Sequence, residues 1–405
     1  MGSTAIISVD GHVRASREGF REYVPQGYLP AYDEWARQQE RAPRPEAGNM
    51  QPQLSDESQW DPELRLRDLE SQGVVAEVLF PNGVPFQANA FEDGGRAEDL
   101  ELTQAGRTIY MHWLADFCAQ APGRFSGQAP VVFDDIEAAV KDIYWAKEHG
   151  LGGIMMPGLF PGGRYFFDPA LDPVWAAIQE TGLPVSQHGG AGIPQYTPAG
   201  MAAILTLAYE QAFFSGRSLW QMIVGGVFDR FPDLKIVFTE TQAYWIGVAL
   251  DQFDRRVLRG DDWTAFAAYL QRERAFSRLP SEYWAANCYA GISPFHPSQL
   301  PLAKLGAGYD AAPGEFALRS DQVMFGVDFP HFESIYPSTK AQVAALLAES
   351  TVTKDDAEKI LFGNAAAVYG FDPAVLRPHV ERVGFELAEL QGLQGLTDGA
   401  DHVVS

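Results

Sequence analysis

The stretch Ala5-Ile-Ile-Ser-Val-Asp-Gly-His12 joins a short apolar segment to two polar side chains, Asp10 and His12. The segment Ala5–Val9 has the length and the apolar character of a buried β-strand. Asp10 and His12 are two residues apart, so on a regular strand both side chains face the same side. The sequence therefore predicts a strand whose end presents a carboxylate and an imidazole together.

The same arrangement, a short apolar strand followed by a loop and an amphipathic helix, recurs along the chain. Strict alternation of strands and helices favours a parallel sheet with helices outside, and eight strands close a (β/α)8 TIM barrel. An open, doubly wound α/β sheet is the alternative that this alternation permits. The predicted strands are Ala5–Val9, Val74–Phe80, Ala129–Phe133, Gly153–Pro157, Leu183–Gln187, Lys235–Thr239, Tyr283–Tyr289 and Val323–Val327.

The barrel domain is predicted to cover residues 1–371, with a long insertion at residues 14–60 after the first strand. This insertion is rich in Pro, Glu, Arg and Gln, and it is too long for a plain connection between two elements. We therefore predict that it serves as a lid or as a subunit interface. Residues 372–405 are predicted to form a helical C-terminal tail.

The composition is that of an acidic globular protein. Its 405 residues include 30 Lys and Arg against 53 Asp and Glu, a formal net charge of −23. Such a chain is a poor candidate for binding nucleic-acid phosphates or anionic membranes, so the expected partner is a small-molecule substrate. Two cysteines give no disulfide framework, and neither a signal peptide nor an apolar membrane span of roughly 20 residues is recognisable. We expect a cytoplasmic homodimer, the commonest assembly.

Polar side chains stand where several of the predicted strands end. In a parallel barrel all strand C-termini open on one face, which carries the active site. Carboxylates and imidazoles without thiolates are the ligands of Zn²⁺, Mn²⁺ or Fe²⁺. Each motif alone is commonly a turn or a helix cap, but their joint placement predicts a metal site. The residues concerned are Asp10, His12, His188, Glu240, Asp328 and His331.

Five segments carry a resemblance to a known family: Ser8-Val-Asp-Gly-His-Val13, His188-Gly-Gly190, Gly225-Gly-Val-Phe-Asp-Arg-Phe-Pro232, Gly326-Val-Asp-Phe-Pro-His331 and Ile360-Leu-Phe-Gly-Asn-Ala-Ala366. They resemble the amidohydrolase superfamily, and within it the branch that includes aminocarboxymuconate-semialdehyde decarboxylase and the resorcylate-type decarboxylases. The resemblance implies a distorted (β/α)8 barrel that holds a divalent metal. The ligands that it implies are Asp10, His12, His188 and Asp328.

Three departures from the superfamily pattern bear on the metal and on proton transfer. The first ligand position often carries His, whereas Asp10 stands here, as in decarboxylases with a carboxylate at this place. Glu240 stands at the end of strand 6, where many relatives carry a catalytic His. Strand 4 ends Ile154-Met-Met-Pro157, with no Lys to bridge two metals. We therefore expect one metal ion, with Zn favoured and Mn or Fe also suited.

The charge of the predicted site favours hydrolysis as its reaction. A divalent ion with Asp10 and Asp328 is formally neutral, and an ionised Glu240 brings the site to about −1, which disfavours an anionic substrate. The prediction is a metal-dependent hydrolase acting with metal-activated water on a small, ring-bearing amide, ester, lactone or activated carbon–carbon substrate. The residues assigned to catalysis are Asp328, Glu240 and His331.

Decarboxylation of an aromatic or muconate-like acid is the alternative, because the family branch favours it. This reaction would need a cation near the substrate, and Arg217 is the candidate. Phe80, Asn82 and His296, which lie near the ends of strands 2 and 7, complete the predicted substrate contacts. A metal-binding barrel without catalytic activity is the third alternative.

Overall fold

Nine short strands form one parallel sheet in the computed structural model, which describes residues 3–41, 54–87, 100–158, 165–190, 200–259, 274–296, 318–348 and 352–390. β1 and β2 share one strand position and are separated by the turn that contains Asp10 and Gly11. In chain order the strands are β1 (Ile6–Ser8), β2 (His12–Val13), β3 (Val74–Pro81), β4 (Phe125–Pro130), β5 (Gly153–Met155), β6 (Val185–His188), β7 (Ile236–Thr239), β8 (Cys288–Ile292) and β9 (Val323–Phe325).

The order of strands in the sheet follows the chain, from β1 through β3 to β9, with β2 beside the end of β3. Each strand is parallel to its neighbour; His12 lies opposite Phe80, and His188 lies opposite Thr239. The first and last strands meet through a hydrogen bond from Val9 N to Phe325 O, at 2.9 Å. This nearly closed ring of eight strand positions confirms the predicted (β/α)8 barrel.

Helices cover the outside of the ring and connect consecutive strands, as a parallel sheet requires. A π-helical turn, Lys359–Gly363, joins two of the last helices. In chain order the helices are α1 (Arg17–Arg21), α2 (Leu29–Arg41), α3 (Pro62–Ser71), α4 (Leu100–Ala119), α5 (Ile136–Glu148), α6 (Asp172–Thr181), α7 (Met201–Ser215), α8 (Arg217–Val224), α9 (Val227–Arg230), α10 (Tyr244–Arg259), α11 (Pro280–Asn287), α12 (Thr339–Ala348), α13 (Lys354–Glu358), α14 (Asn364–Tyr369), α15 (Pro373–Val383) and α16 (Leu387–Leu390).

The third predicted strand, Ala129–Phe133, is placed wrongly by about four residues, since β4 begins at Phe125. Two buried side chains of β4, Ser126 and Gln128, are polar and therefore leave no apolar signal in the sequence. They are satisfied inside the fold: the Ser186 hydroxyl donates to Gln128 Oε1 at 2.9 Å, and Gln128 Nε2 donates to the Ser126 carbonyl. Because these buried residues are polar, the pattern of hydrophobic residues does not reveal where β4 begins.

The seventh predicted strand, Tyr283–Tyr289, is also wrong in its first half. Residues through Asn287 belong to α11, and β8 begins at Cys288. Pro280 occupies the first turn of α11, and the Glu282 carboxylate accepts a hydrogen bond from Leu279 N at 2.7 Å. Both features stabilise a helix start, and they outweigh the aromatic character of the segment.

The described parts of the predicted insertion and tail are mainly helical, with short turns and irregular stretches between the helices. The insertion contains α1 and α2, while residues 42–53 and 391–405 lie outside the described residues. In the tail, Phe385 pairs in antiparallel fashion with Thr4, beside the start of the barrel. The lid or interface role and the domain boundaries stay predictions. Within the described ranges, no helix combines the length and apolar character needed to span a bilayer.

The two ends of the sheet meet beside the residues predicted to bind metal. His12 N donates to the Phe329 carbonyl at 2.7 Å, and Asp328 N donates to the Asp10 carbonyl at 3.1 Å. Gly11 lies between Asp10 and His12 at this seam, where the first and last strand positions meet, and a Cβ there would stand 1.9 Å from Glu77 Oε1. Only glycine allows the chain to pass so close to that carboxylate.

Arg65, a residue of α3, is fully buried beneath this seam. Its Nε donates to Glu77 Oε2 at 2.7 Å, while its other nitrogens donate to the carbonyls of His12 at 2.9 Å and Phe329 at 3.1 Å. Burial raises the pKa of Glu77 to about 7, although Arg65 opposes that effect. One guanidinium thus joins α3, β3 and both sides of the seam.

We predict that Arg65→Met lowers the free energy of unfolding by about 3–5 kcal/mol, because it leaves a buried carboxylate unpaired. The double variant Arg65→Met, Glu77→Leu should remain less stable than wild type, since the buried carbonyl of His12 loses the Arg65 donor and the Phe329 carbonyl keeps only its bond from His12 N. Urea unfolding measures both effects. Arg67→Met is the matched control, because Arg67 lies on the same helix with an exposed side chain. A loss below about 1 kcal/mol in Arg65→Met would contradict the assignment.

Candidate metal centre

Four side chains converge at the C-terminal ends of the strands. Asp10 follows β1, His12 begins β2, His188 ends β6 and Asp328 follows β9. All four are almost completely buried, with no more than 2% of any residue exposed. These are the four residues predicted as metal ligands, and the structure brings them into one cluster.

Short distances link the four side chains to one another through His12 and Asp10. His12 Nε2 lies 3.3 Å from Asp10 Oδ1 and 3.3 Å from Asp328 Oδ1. His188 Nε2 lies 3.2 Å from the same oxygen of Asp10. Ligand atoms of Asp10, His12 and His188 all lie within 4.8 Å of one another, as do those of His12, Asp328 and His331.

The carboxylates of this cluster have coordination capacity that the described protein groups do not use. Asp10 Oδ2 and Asp328 Oδ2 are buried, and neither accepts a hydrogen bond from the residues that the structure describes. A buried carboxylate oxygen without a partner is costly unless a cation binds it. Two such oxygens beside two imidazoles are a donor set that suits Zn²⁺, Mn²⁺ or Fe²⁺. The residues present therefore fit a divalent ion.

The electrostatics of the cluster also favour positive charge within it. Burial raises the pKa of Asp10, but His188 and His12 lower it by more, so that this pKa falls below its usual range. Burial lowers the pKa of His12, but its contacts with Asp10 and Asp328 dominate and raise this pKa well above its usual value. The carboxylates of Asp10 and Asp328 therefore stabilise a positive charge within the cluster, and a divalent ion can supply that charge.

Contacts behind the imidazoles orient the two histidines. His12 Nδ1 lies 3.3 Å from the Pro81 carbonyl, and His188 Nδ1 lies 2.9 Å from the Gly189 carbonyl. A ring nitrogen that donates to a carbonyl leaves the other nitrogen unprotonated and able to bind a metal. In both residues it is Nε2 that faces the cluster.

Glu240, predicted as a catalytic group, lies behind His188. Its Oε2 is 3.2 Å from His188 Nδ1, on the side of the ring away from Asp10. Burial raises the pKa of Glu240 well above its usual value, and the charges of Asp328 and Asp10 raise it further. This position lets Glu240 hold the ring of His188, and an oxygen of Glu240 also lies near Asp328 and Glu333.

Glu333 was not predicted from the sequence. One of its carboxylate oxygens lies within 4.8 Å of oxygens of Glu240 and Asp328. Glu333 is exposed, whereas Asp328 is buried, so the three carboxylates run from the surface into the cluster. An acidic residue in an exposed loop is ordinary, and no local pattern distinguishes Glu333 from its neighbours.

His331, the third predicted catalytic residue, is held by three neighbours. Its Nδ1 lies 2.9 Å from Asp328 Oδ1, and its Nε2 lies 3.2 Å from Asn82 Oδ1. Its ring stacks on that of His12, with centroids 3.9 Å apart. Asn82 Nδ2 in turn donates to Gln59 Oε1 at 2.6 Å. Asn82, predicted as a substrate contact, thus positions His331, and Gln59 is a supporting residue that the sequence did not reveal.

Both acidic residues that follow strands β7 and β9 have left-handed backbone conformations. The φ angle is +56° at Glu240 and +62° at Asp328. Residues with a Cβ seldom adopt such angles, and they persist where the surrounding structure enforces them, commonly at functional sites. Glu240 is the first residue after β7, and Asp328 is the third residue after β9.

The other predicted substrate residues are Phe80, Arg217 and His296. Phe80 is completely buried, and its ring centroid lies 4.5 Å from that of His188. Arg217 is the first residue of α8, and its guanidinium stands 5.8 Å from the ring centroid of Phe214. His296 is exposed in the segment after β8. Their contacts with a substrate stay predictions.

Comparison with known proteins identifies the family. The family model described as Amidohydrolase matches residues 9–371. The chain is 29% identical over 192 residues to 2-amino-3-carboxymuconate-6-semialdehyde decarboxylase of Dictyostelium discoideum, a match that spans 45% of this chain and 48% of that enzyme. It is 24% identical over 330 residues to gamma-resorcylate decarboxylase of Rhodococcus jostii (strain RHA1), covering 76% of this chain and 88% of that enzyme.

A solved structure shares the fold. The dihydroxybenzoic acid decarboxylase of Polaromonas sp. JS666, which was crystallised with manganese and an inhibitor, superposes with a TM-score of 0.57. The match covers 91% of this chain and 97% of that chain, at 17% identity. The family model extends over the barrel and over every member of the strand-end cluster. We conclude that this protein belongs to the amidohydrolase family of enzymes.

Proposed function

We propose that this protein is a metal-dependent decarboxylase that releases CO₂ from a small aromatic acid. The choice of reaction rests on the similarity to gamma-resorcylate decarboxylase, which covers 76% of this chain. It favours the alternative reaction over the hydrolysis that the charge of the site had suggested. The substrate class that we propose is a benzoate with a hydroxyl group next to its carboxylate.

The cluster of Asp10, His12, His188 and Asp328 would hold the divalent ion. A bound divalent ion supplies an electrophile for the oxygens of the substrate. Asp10 Oδ2 and Asp328 Oδ2 are the oxygens available to it, and the carbonyls behind His12 and His188 keep Nε2 of each ring directed at the cluster. Burial of all four side chains excludes water around them, which strengthens every charge interaction.

Decarboxylation breaks the bond between a ring carbon and the carboxylate carbon. The electron pair stays on the ring carbon, which takes up one proton as CO₂ leaves. We assign that proton to the contact between His331 Nδ1 and Asp328 Oδ1, which are 2.9 Å apart. Asn82 and the stacked ring of His12 keep His331 beside Asp328, so the proton is held at a defined place.

Hydrolysis of a neutral ester, amide or lactone is the second candidate, and one observation favours it. Glu333 brings a third carboxylate beside Glu240 and Asp328. A surplus of negative charge at the site disfavours an anionic acid as substrate, unless a cation such as the Arg217 guanidinium accompanies it. Glu240 or Asp328 would then accept the proton of the attacking water.

The metal content of the protein tests the proposed metal site directly. Purified wild-type protein should contain about one equivalent of divalent metal per chain, and His188→Ala should lose it, because one of the two imidazole ligands is removed. Elemental analysis measures the amount and names the metal. His149→Ala is the control, since His149 is exposed at the end of α5. Unchanged metal content in His188→Ala would contradict the site.

Removing the metal with a chelator should abolish turnover, and adding Mn²⁺ or Zn²⁺ should restore it. We expect CO₂ release from 2,6-dihydroxybenzoate or 5-carboxyvanillate. The loss of substrate absorbance measures this reaction. Asp328→Asn should reduce the rate by about 10³-fold while the folded structure is retained, because both a metal ligand and the proton site are altered.

A different result would identify hydrolysis, the second candidate reaction. Acid release from neutral esters or lactones, with no CO₂ from any aromatic acid tested, would reject the decarboxylase and support the hydrolase. Circular dichroism of Asp328→Asn separates the loss of chemistry from the loss of fold. Wild-type turnover in that variant would remove Asp328 from the mechanism under either reaction.

A further inference from the structure

Arg14 directly follows β2, the short strand that begins with His12. Side chains two residues apart on an extended chain face the same side, so Arg14 shares the side of His12. Val13, between them, is completely buried, whereas Arg14 is only partly buried. This alternation places a cationic side chain beside a proposed metal ligand, on the part of the site nearer to solvent.

Asn82, which follows the neighbouring strand β3, shows that this side of the chain pair faces the cluster. Asn82 N donates to the Val13 carbonyl at 2.8 Å, so the two segments stay paired up to the residue before Arg14. Asn82 Oδ1 lies 3.2 Å from His331 Nε2, and the ring of His331 stacks on that of His12. Arg14 and Asn82 are therefore neighbours at the edge of the candidate metal centre.

Two contacts hold Arg14 at this edge. Arg14 N donates to the Gln59 carbonyl at 3.3 Å, and Gln59 Oε1 accepts the hydrogen bond from Asn82 Nδ2 at 2.6 Å. The side chain of Arg14 runs past Gly83, where an added Cβ would lie 3.6 Å from Arg14 Cδ. Gln59 thus fixes both Arg14 and the residue that positions His331.

We propose that Arg14 binds an acidic substituent of the substrate and so selects an aromatic acid that carries two acidic groups. This inference rests on the proposed function, in which oxygens at one end of the substrate meet the divalent ion. The α-carbons of residues 12 and 14 are roughly 7 Å apart on an extended chain, close to the length of a substituted benzene ring. A small aromatic acid with one end at the metal centre therefore extends its other end toward Arg14.

The guanidinium of Arg14 has the chemistry that this task requires. It is planar and carries five N–H donors, two of which can bind one carboxylate in parallel. A contact with another group of the protein leaves further donors for the substrate. The group stays charged at neutral pH, and partial burial strengthens its attraction for an anion because less solvent screens the charge.

A cation at this edge also answers the charge of the site. Asp10 and Asp328 neutralise a divalent ion, and Glu333 adds a carboxylate on the exposed side of Asp328. A substrate with two acidic groups is repelled by this surplus unless a positive charge accompanies it. Arg14 supplies that charge, so the acidity of the site no longer argues against an anionic substrate.

Two other arginines are less suited to the task. Arg65 is fully buried beneath the seam, where it donates to Glu77 and to backbone carbonyls. Arg217, the candidate predicted from the sequence, begins α8 and stands beside the ring of Phe214. Of the three, Arg14 is the one that directly follows a strand carrying a proposed ligand.

Ligand binding to the manganese-loaded protein tests the proposal without requiring turnover. The probes are 4-hydroxyisophthalate, which has two carboxylates, and salicylate, which has one, and titration calorimetry gives the Kd of each. Wild type should bind 4-hydroxyisophthalate more tightly than salicylate. Arg14→Met should raise the Kd of 4-hydroxyisophthalate by about 30-fold, the loss expected for hydrogen bonds to a charged group, and leave the Kd of salicylate unchanged.

Control variants separate substrate binding from a structural role. Arg14→Lys should recover part of the affinity, because lysine keeps the charge but not the paired donors. Arg21→Met is the matched control, since Arg21 lies on the nearby helix α1 with an exposed side chain. Circular dichroism and manganese content should be those of wild type in Arg14→Met, and Arg14→Gln replaces this variant if it fails to fold. Equal weakening of both probes, or loss of manganese, would make the role of Arg14 structural and overturn the proposal.

Turnover distinguishes this proposal from the proposed reaction. Binding that depends on Arg14 without CO₂ release would support the selection of two acidic groups and reject the decarboxylase. CO₂ release from 4-hydroxyisophthalate with the same Kd in wild type and Arg14→Met would support the decarboxylase and overturn the role of Arg14. The role of Arg14 is also overturned if wild type binds salicylate as tightly as 4-hydroxyisophthalate, if it binds neither, or if only Arg217→Met weakens binding.

Discussion

The buried guanidinium of Arg65 is the contact on which the barrel and its metal centre both depend. It donates to the carbonyls of His12 and Phe329, which lie on opposite sides of the seam between the first and last strand positions. Asp10 and Asp328 occupy the same seam, and Asp328 N donates a backbone hydrogen bond to the Asp10 carbonyl across it. The groups that close the ring are therefore the groups that set the spacing of the proposed ligands.

The pairing of Arg65 with Glu77 explains the composition of the first motif. Gly11 stands between Asp10 and His12 because a side chain there would collide with the Glu77 carboxylate. The chain can thus pass directly over a buried ion pair and present Asp10 and His12 beside one another. This one turn links stability to the proposed metal site, since the ion pair holds the backbone that carries both residues.

Glu240 joins the candidate metal centre to a helix outside the barrel. Its carboxylate lies against His188, and its carbonyl accepts a hydrogen bond from Gln211 of α7. The backbone at Glu240 has a φ of +56°, a conformation that persists only where surrounding contacts maintain it. The contacts of Glu240 therefore help to fix the position of the His188 ring.

Local sequence pattern was enough for the alternation of strands and helices, and for the placement of Asp10, His12, His188 and Asp328 at strand ends. Those features depend on apolar periodicity and on the rule that parallel strands share one edge. The same pattern misplaced β4, whose buried side chains Ser126 and Gln128 are polar. Other features required contacts across the fold: the Arg65 seam and the link from Gln59 through Asn82 to His331. Arg65 and Phe329 are 264 residues apart, and no periodic signal in the chain joins partners at that distance.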